Sequence, residues 1–201
     1  MKNENIKFYS IKDEIRILGI DDAPFDFRRD ERTYIIGTIF RGGKWLDGIL
    51  RSEVTVDGTD STDRIIEMVN KSKFKDLRII MLDGLGFGGF NLVDIEKLFR
   101  KTGKAVIVIV RKMPDFISIK RAIKGLENRE FYERCMERAG KPKRVETRKG
   151  RFIYIQYNGI EFRDAESIVK ISSTRSLIPE PIRVAHLIAS GIVLGESKGN
   201  A

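Results

Sequence analysis

Leu77-Arg78-Ile79-Ile80-Met81-Leu82-Asp83-Gly84 is an apolar run closed by a carboxylate and then a glycine. It reads as a strand over 77–82 with Asp83 at its end. The same pattern stands earlier in the chain, at Ile15-Arg16-Ile17-Leu18-Gly19-Ile20-Asp21, a strand over 15–20. Beyond Asp83 come a glycine-rich turn, Gly84 to Gly89, and a helix near 91–102 with Leu92, Ile95, Leu98 and Phe99 at helical spacing. The strand Ala105 to Val110 follows. Strand–helix–strand makes a βαβ unit, so strands 77–82 and 105–110 are expected to be parallel. Ligands of open α/β sheets bind in the crevice beyond the carboxyl ends of the strands. Two carboxylates side by side there repel unless a cation or a shared proton lies between them. A hard divalent ion meets that need, since Mg²⁺ takes one or two carboxylates plus water and phosphate oxygens.

The remaining segments extend the sheet. Residues 33–41 and 45–56 read as two strands joined at Arg41-Gly42-Gly43-Lys44, a hairpin signal. Asp57-Gly58-Thr59-Asp60 breaks the pattern, and Asp60 or Ser61 caps a helix over 61–72. Two helices are expected within 115–139, interrupted near Gly125, then a strand over 151–157 and helices over 164–171 and 179–194. Pro179 and Pro181 suit the first turn of the last helix. The tail, 196–201, is expected to fray. Three antiparallel strands, then helix, strand, helix, strand and trailing helices, is the order of a ribonuclease H-like α/β fold. It is one mixed sheet flanked by helices, here a single domain over 1–201. In that fold the first and fourth strands lie adjacent at the centre, so Asp21 and Asp83 meet at one edge.

Charge narrows the partners. The net charge is +9, yet the segment 101–151 holds 16 basic and 6 acidic residues, leaving 22 and 23 elsewhere. The whole excess therefore sits in one quarter of the chain, as expected of a protein that grips a phosphate backbone. Between 115 and 139 the bases interleave with Glu127, Glu130, Glu133 and Glu137, which equally suits a solvated helix face. The run Lys141, Lys143, Arg144, Arg148, Lys149 and Arg151 is more one-sided. A lone cysteine, Cys135, excludes an internal disulfide and points to a reduced, cytoplasmic setting. No apolar stretch approaches the roughly 20 residues of a membrane span, and Met1 to Asn5 carries no signal-peptide pattern. Gly84 to Gly89 lacks the Gly-Lys-Ser/Thr of a phosphate loop. Phe25, Phe27, Phe87 and Phe90 flank the carboxylates in sequence; each suits the core, or a wedge that holds an extruded base.

Four short motifs, in order, resemble a known family. Leu18-Gly19-Ile20-Asp21 resembles the first-strand motif of endonuclease V, and Leu82-Asp83-Gly84-Leu85-Gly86 its fourth-strand Asp-Gly motif. Val110-Arg111-Lys112 resembles the Val-Ala-Lys segment after the fifth strand. Pro179-Glu180-Pro181-Ile182-Arg183-Val184-Ala185-His186 resembles the late-helix motif Pro-Glu-Pro-x-Arg-x-Ala-His. The whole chain is most similar to an archaeal family of endonuclease V relatives, endonuclease dU.

The resemblance implies Asp21 and Asp83 as metal ligands for Mg²⁺ or Mn²⁺, His186 as an assistant to metal or water, and Lys112 near the scissile phosphate. It also implies an acidic residue just before the first helix. Asp57 and Asp60 are both candidates, with Asp60 nearer the helix. Endonuclease V has a glutamate there, so an aspartate is a departure. Its aromatic wedge has no match between Leu50 and Thr62, and Leu85 and Gly89 stand where it has histidines. The family name implies deoxyuridine as the lesion.

The expectation is therefore a Mg²⁺-dependent endonuclease acting in repair on DNA with a deaminated base. Asp21, Asp83 and Asp60 (or Asp57) hold metal, and Arg111 and the basic run touch nucleic acid. The alternatives are a non-catalytic nucleic-acid-binding protein of the same fold and a nuclease directed to inosine in RNA.

Overall fold

The computed structural model describes residues 5–198. Seven strands form one sheet: β1 (Arg16–Asp22), β2 (Arg32–Arg41), β3 (Trp45–Thr55), β4 (Ile79–Asp83), β7 (Ala105–Val110), β8 (Lys143–Arg148) and β9 (Arg151–Asn158). Their spatial order is β3-β2-β1-β4-β7-β9-β8. A separate two-stranded ribbon, β5 (Gly86–Phe87) and β6 (Asn91–Leu92), closes the glycine-rich turn. The helices are α1 (Ser61–Lys71), α2 (Ile95–Thr102), α3 (Phe116–Ile123), α4 (Arg129–Ala139), α5 (Phe162–Ser172) and α6 (Glu180–Leu194).

β1 pairs with β4 in parallel, Ile17 opposite Ile79 through Ile20 opposite Leu82. β4 pairs in parallel with β7, and the outer strands are antiparallel. The central strands are apolar without alternation because both of their faces are covered. Leu18, Ile20, Ile80, Leu82, Val106 and Val108 meet Ile65 and Val69 of α1 and Leu98 of α2. Ile17, Ile79, Met81, Ile107 and Ile109 meet Ile168 and Val169 of α5 and Ile182 of α6. Side chains alternate across a strand. Asp21 and Asp83 therefore share the α6 face with Ile17 and Ile79, while Asp22 turns to the α1/α2 face.

The last helix explains a glycine inside β1. A Cβ on Gly19 would lie 2.4 Å from the carbonyl carbon and 2.6 Å from the carbonyl oxygen of Pro181. That oxygen also accepts a 2.6 Å hydrogen bond from Thr38 Oγ1. The buried Glu180 pairs with Arg183 one turn on, at 2.7 Å. The segment Pro179 to Arg183 is thus the seat by which α6 is pressed onto the sheet centre.

Three local expectations change. The helix expected near 91–102 begins only at Ile95, because Asp94 caps it by accepting from Lys97 N at 2.9 Å and Asn91-Leu92 is a ribbon strand. The run after Lys141 contains a strand, β8, that its composition conceals. It is the sheet edge, and of Lys143 to Arg148 only Val145 is buried, so no apolar alternation marks it. Asp60 is the α1 cap residue by position, but its carboxylate makes no cap bond. α6 ends at Leu194, and from residue 199 onward the tail expected to fray lies outside the described residues. Among the described residues no helix is long and apolar enough to cross a membrane.

Candidate metal and phosphodiester site

Parallel pairing sets Asp21 and Asp83 at neighbouring strand ends. His186 reaches them from α6, five residues past the Pro181 that seats on Gly19. Its Nδ1 lies 2.8 Å from Asp21 Oδ2. Asp21, Asp83 and His186 each offer a ligand atom, and these atoms lie within 4.8 Å of one another. Among the described residues this is the single group of three or more such side chains. Arg111 Nη1 donates to Asp83 Oδ1 at 2.8 Å. The crevice, about 670 Å³, is also lined by Asp22, Phe25 and Gly84.

Electrostatics in the crevice favour a cation. Burial pushes the Asp21 carboxyl up to about 6; the His186 hydrogen bond opposes this, and the neighbouring Asp83 adds to it. Asp22 is also raised, by burial first and by Asp83 among the charges, although Gly88 N donates to its Oδ2 at 2.7 Å. His186 is held above its ordinary value by its hydrogen bond to Asp21, against the effect of burial. Asp21 and Asp83 with His186 suit a divalent ion by donor chemistry: carboxylate oxygens for Mg²⁺, with an imidazole that suits Mn²⁺ as well.

The titration has a consequence for the metal-free chain. The folded value of Asp21 lies above the ordinary 3.8, and that of His186 above 6.5. Both shifts make the folded state hold more protons than the unfolded state, so stability falls as pH rises. The histidine contribution is fully present below 6.5 and is lost as pH climbs through its raised folded value. The cost of the buried Asp21 charge grows from 3.8 to about 6. Thermal melts in EDTA are expected to lose more between pH 5 and pH 8 in the wild type than in Asp21→Asn. An equal or opposite slope would remove this account.

The other expected site residues lie elsewhere. Asp60 accepts from Asn91 Nδ2 at 2.7 Å, from Thr55 N and Oγ1 at 3.1 and 3.2 Å, and from Arg64 Nε at 3.2 Å. Burial pushes its carboxyl up, but the bonds from Asn91, Thr55 and Arg64 prevail and hold it below the usual range. It thus fastens the β3–α1 turn and stands outside the three-residue cluster. Asp57 does as well: its Oδ1 accepts from Phe90 N at 2.8 Å and its N–H donates to Gly88 O. Lys112 is exposed and does not line the crevice, whereas Arg111 does. Arg111 follows Ile109 by two residues, on the face of Asp83, and that parity is readable in the sequence. Phe87 is fully buried, while Phe27 is 65% exposed and meets Phe25 edge to face at 4.6 Å. Burial pushes the Cys135 thiol up to about 12, which leaves it inert as a nucleophile.

The basic run lies at the same end of the sheet. Val110 is level with Tyr154, and Tyr154 with Arg144. The β8–β9 hairpin therefore continues about four residues, roughly 13 Å, past the end of β7. Its turn carries Arg148, Lys149 and Arg151. Arg144 stacks on Phe152 at 4.1 Å, and Lys143 Nζ lies 4.8 Å from the Phe162 ring centre. Lys141 is exposed just before the arm.

Comparison with known proteins gives the family and the fold. The family described as Endonuclease dU matches residues 13–193. A UPF0215 protein of Methanothermobacter thermautotrophicus is 58% identical over 98% of this chain and 97% of its own length. A crystal structure of a protein of unknown function from Archaeoglobus fulgidus superposes with a TM-score of 0.79 at 41% identity, covering 89% of this chain and 98% of that one. Endonuclease V of Ciona intestinalis, in complex with a 24mer DNA containing an inosine followed by a ribo-adenosine, superposes with a TM-score of 0.53 at 16% identity. That likeness covers 85% of this chain and 82% of the other. The fold is accordingly the mixed, helix-flanked α/β sheet of endonuclease V, as the strand order implied. The chain belongs to the endonuclease dU family.

Proposed function

We propose that this protein is a divalent-metal-dependent endonuclease that cleaves a phosphodiester in DNA containing a deaminated base, with deoxyuridine the favoured lesion, as a step in DNA repair. The observation that carries the reading is the convergence of Asp21, Asp83 and His186 at one strand-end crevice. Asp21 and Asp83 would hold Mg²⁺ or Mn²⁺, with His186 within reach. When bound, the ion supplies the charge that activates a water and offsets charge on the phosphate. His186 Nδ1 keeps Asp21 oriented, and Nε2 takes or gives a proton near neutral pH. Arg111, which donates to Asp83 Oδ1, is placed to bind a phosphate oxygen. Asp60 and Asp57 support the loops around the crevice.

The test is nicking of a duplex containing deoxyuridine or hypoxanthine, with Mg²⁺ or Mn²⁺ and with EDTA. Metal-dependent nicking is expected, and salt-sensitive binding without nicking in either metal would overturn the reading. A second readout is thermal. Mn²⁺ at about 100 times its Kd should add about 2.7 kcal/mol of stability, and this gain should vanish in Asp21→Asn.

The projecting arm would grip the backbone. Replacing Arg148, Lys149 and Arg151 together by Gln should lower the slope of log affinity against log salt by up to about 3. The same change at the exposed Lys71, Lys73 and Lys75, at the opposite end of the sheet, should leave the slope unchanged. Equal effects of the two triple variants would argue against the arm.

A further inference from the structure

A second hollow lies at the other end of the sheet, where β1 and β4 begin. It measures about 770 Å³ and shares no lining residue with the carboxylate crevice. Arg16 lines it and opens β1. Asp21 is five residues further on, roughly 16 Å along the strand. The outer wall is a strap formed by the segment before β1. Ile6, Phe8 and Ile11 turn inward and pack against the core on the α5 face. Lys7, Tyr9, Ser10 and Lys12 are exposed. Ile6 N donates to Gly159 O at 2.9 Å and Ile15 N to Lys12 O at 3.0 Å, so the strap is pinned at both ends.

The charges of this hollow fall into two sets. Five of its lining residues are basic and two are acidic, a surplus of three positive charges. Both acids are engaged. Arg16 holds Asp76, and it also donates to Asp47 at 2.8 Å. Arg41 lies 3.9 Å from Glu14. Lys7, Lys12 and Arg78 have no acidic partner among the described residues. Arg78 is held all the same, with its guanidinium carbon 5.6 Å from the centre of the Phe8 ring. Among the described residues no acceptor takes its side-chain N–H groups. Tyr9 stands between the two lysines on the strap and is 100% exposed. A hollow lined by one sign of charge concentrates counter-ions, and this one has an uncovered aromatic ring beside its free cations.

We propose that this hollow binds a nucleotide, with its base on Tyr9 and its phosphate between Lys7, Lys12 and Arg78. The volume lies within the range of small-ligand sites, about 300–1,000 Å³. The free cations call for an anion. A phosphate monoester carries about 1.5 to 2 negative charges near pH 7, and an arginine fork meets its oxygens with paired N–H bonds. Tyr9 supplies what inorganic phosphate cannot use, an aromatic face on which a base stacks. Such stacking contributes roughly 10-fold in affinity. The carboxylates and their ion take no part, so the assignment stands apart from the nuclease reading. A free nucleotide and the terminal nucleotide of a strand present the same groups, and the measurement separates them.

The test is calorimetric titration of the full chain in EDTA, which keeps metal out of the carboxylate crevice. Adenosine 5′-monophosphate is expected to bind with a Kd below about 1 mM, roughly 10-fold more tightly than inorganic phosphate or adenosine. Tyr9→Ala removes a fully exposed ring and should bring the nucleotide down to the level of phosphate. Lys7→Gln combined with Lys12→Gln should bring it down to the level of adenosine. Lys73→Gln, at an exposed lysine of the same sheet end that does not line the hollow, should bind as wild type does. A hexanucleotide with or without a 5′-phosphate identifies the source. A preference for the phosphorylated end that disappears in Tyr9→Ala assigns the hollow to strand ends, and equal binding of the two assigns it to the free nucleotide. Phosphate binding as tightly as the nucleotide, nucleotide affinity unchanged in Tyr9→Ala or in the double lysine variant, or no nucleotide binding at about 1 mM would overturn the proposal.

Discussion

Replacing Asp83 by Ala is expected to lower metal-dependent nicking by roughly 100- to 1000-fold, the size of effect seen when one charge-stabilising group is removed from a site. Asp83 ends β4 beside Asp21, and its side chain is only 8% exposed. It is one of two carboxylates on the α6 face, so its loss halves the charge available to hold an ion there. Folding should survive. The Asp83–Arg111 pair involves a half-exposed guanidinium, and such pairs contribute at most about 1 kcal/mol. Removal also relieves repulsion on Asp21, which Asp83 raises. Single-turnover nicking and thermal melts of the same preparation separate the two effects. Cleavage that persists undiminished in Asp83→Ala would remove the mechanism.

Gly19→Ala should be among the most damaging single methyl groups in the chain. The added carbon would sit 2.4 to 2.6 Å from three atoms of Pro181, two of them backbone. No rotamer change relieves a clash with backbone, so α6 must lift from β1. Overpacking of this kind costs about 3 kcal/mol at its upper range, and a chain of this size would lose roughly 6 to 12 °C in Tm. The displacement also carries His186 away from Asp21, where the ring now sits at 2.8 Å. Activity should therefore fall even at temperatures where the variant is folded. A Tm within about 1 °C of wild type would show that the contact is not as tight as the geometry requires.

The two substitutions also differ in how far each position can be read. Asp83 announces itself because an apolar run stops at a carboxylate followed by glycine, a signal contained in eight consecutive residues. Gly19 gives no such signal. Its reason is Pro181, which is 162 residues away in the chain and joined to it only by the docking of α6.

The same division runs through the molecule. Strand and helix identity came from periodicity and capping, which are local, and the parallel pairing of β4 with β7 came from the helix between them. Continuous apolar runs marked the central strands because those strands are covered on both faces. β8 escaped because an edge strand with one buried side chain has the composition of a charged loop.

At the site, strand order determined that Asp21 and Asp83 meet, and the Pro-Glu-Pro motif placed His186 on the helix that reaches them. Asp60 and Asp57 look equivalent along the chain. Only the folded structure shows both carboxylates bonded to the turns beside the crevice, because those partners, Asn91 and the amide of Phe90, arrive from the distant β5–β6 ribbon. Alternation puts Arg111 and Lys112 on opposite faces of the sheet, and the register that sets Ile109 level with Asp83 decided which of them lines the crevice. What this sequence determined by itself is what neighbouring residues encode: the elements, their order and the carboxylates that end them. What the tertiary structure alone decided is which side chains, remote in the chain, share one crevice, since strand-end geometry and helix docking depend on contacts that no local pattern contains.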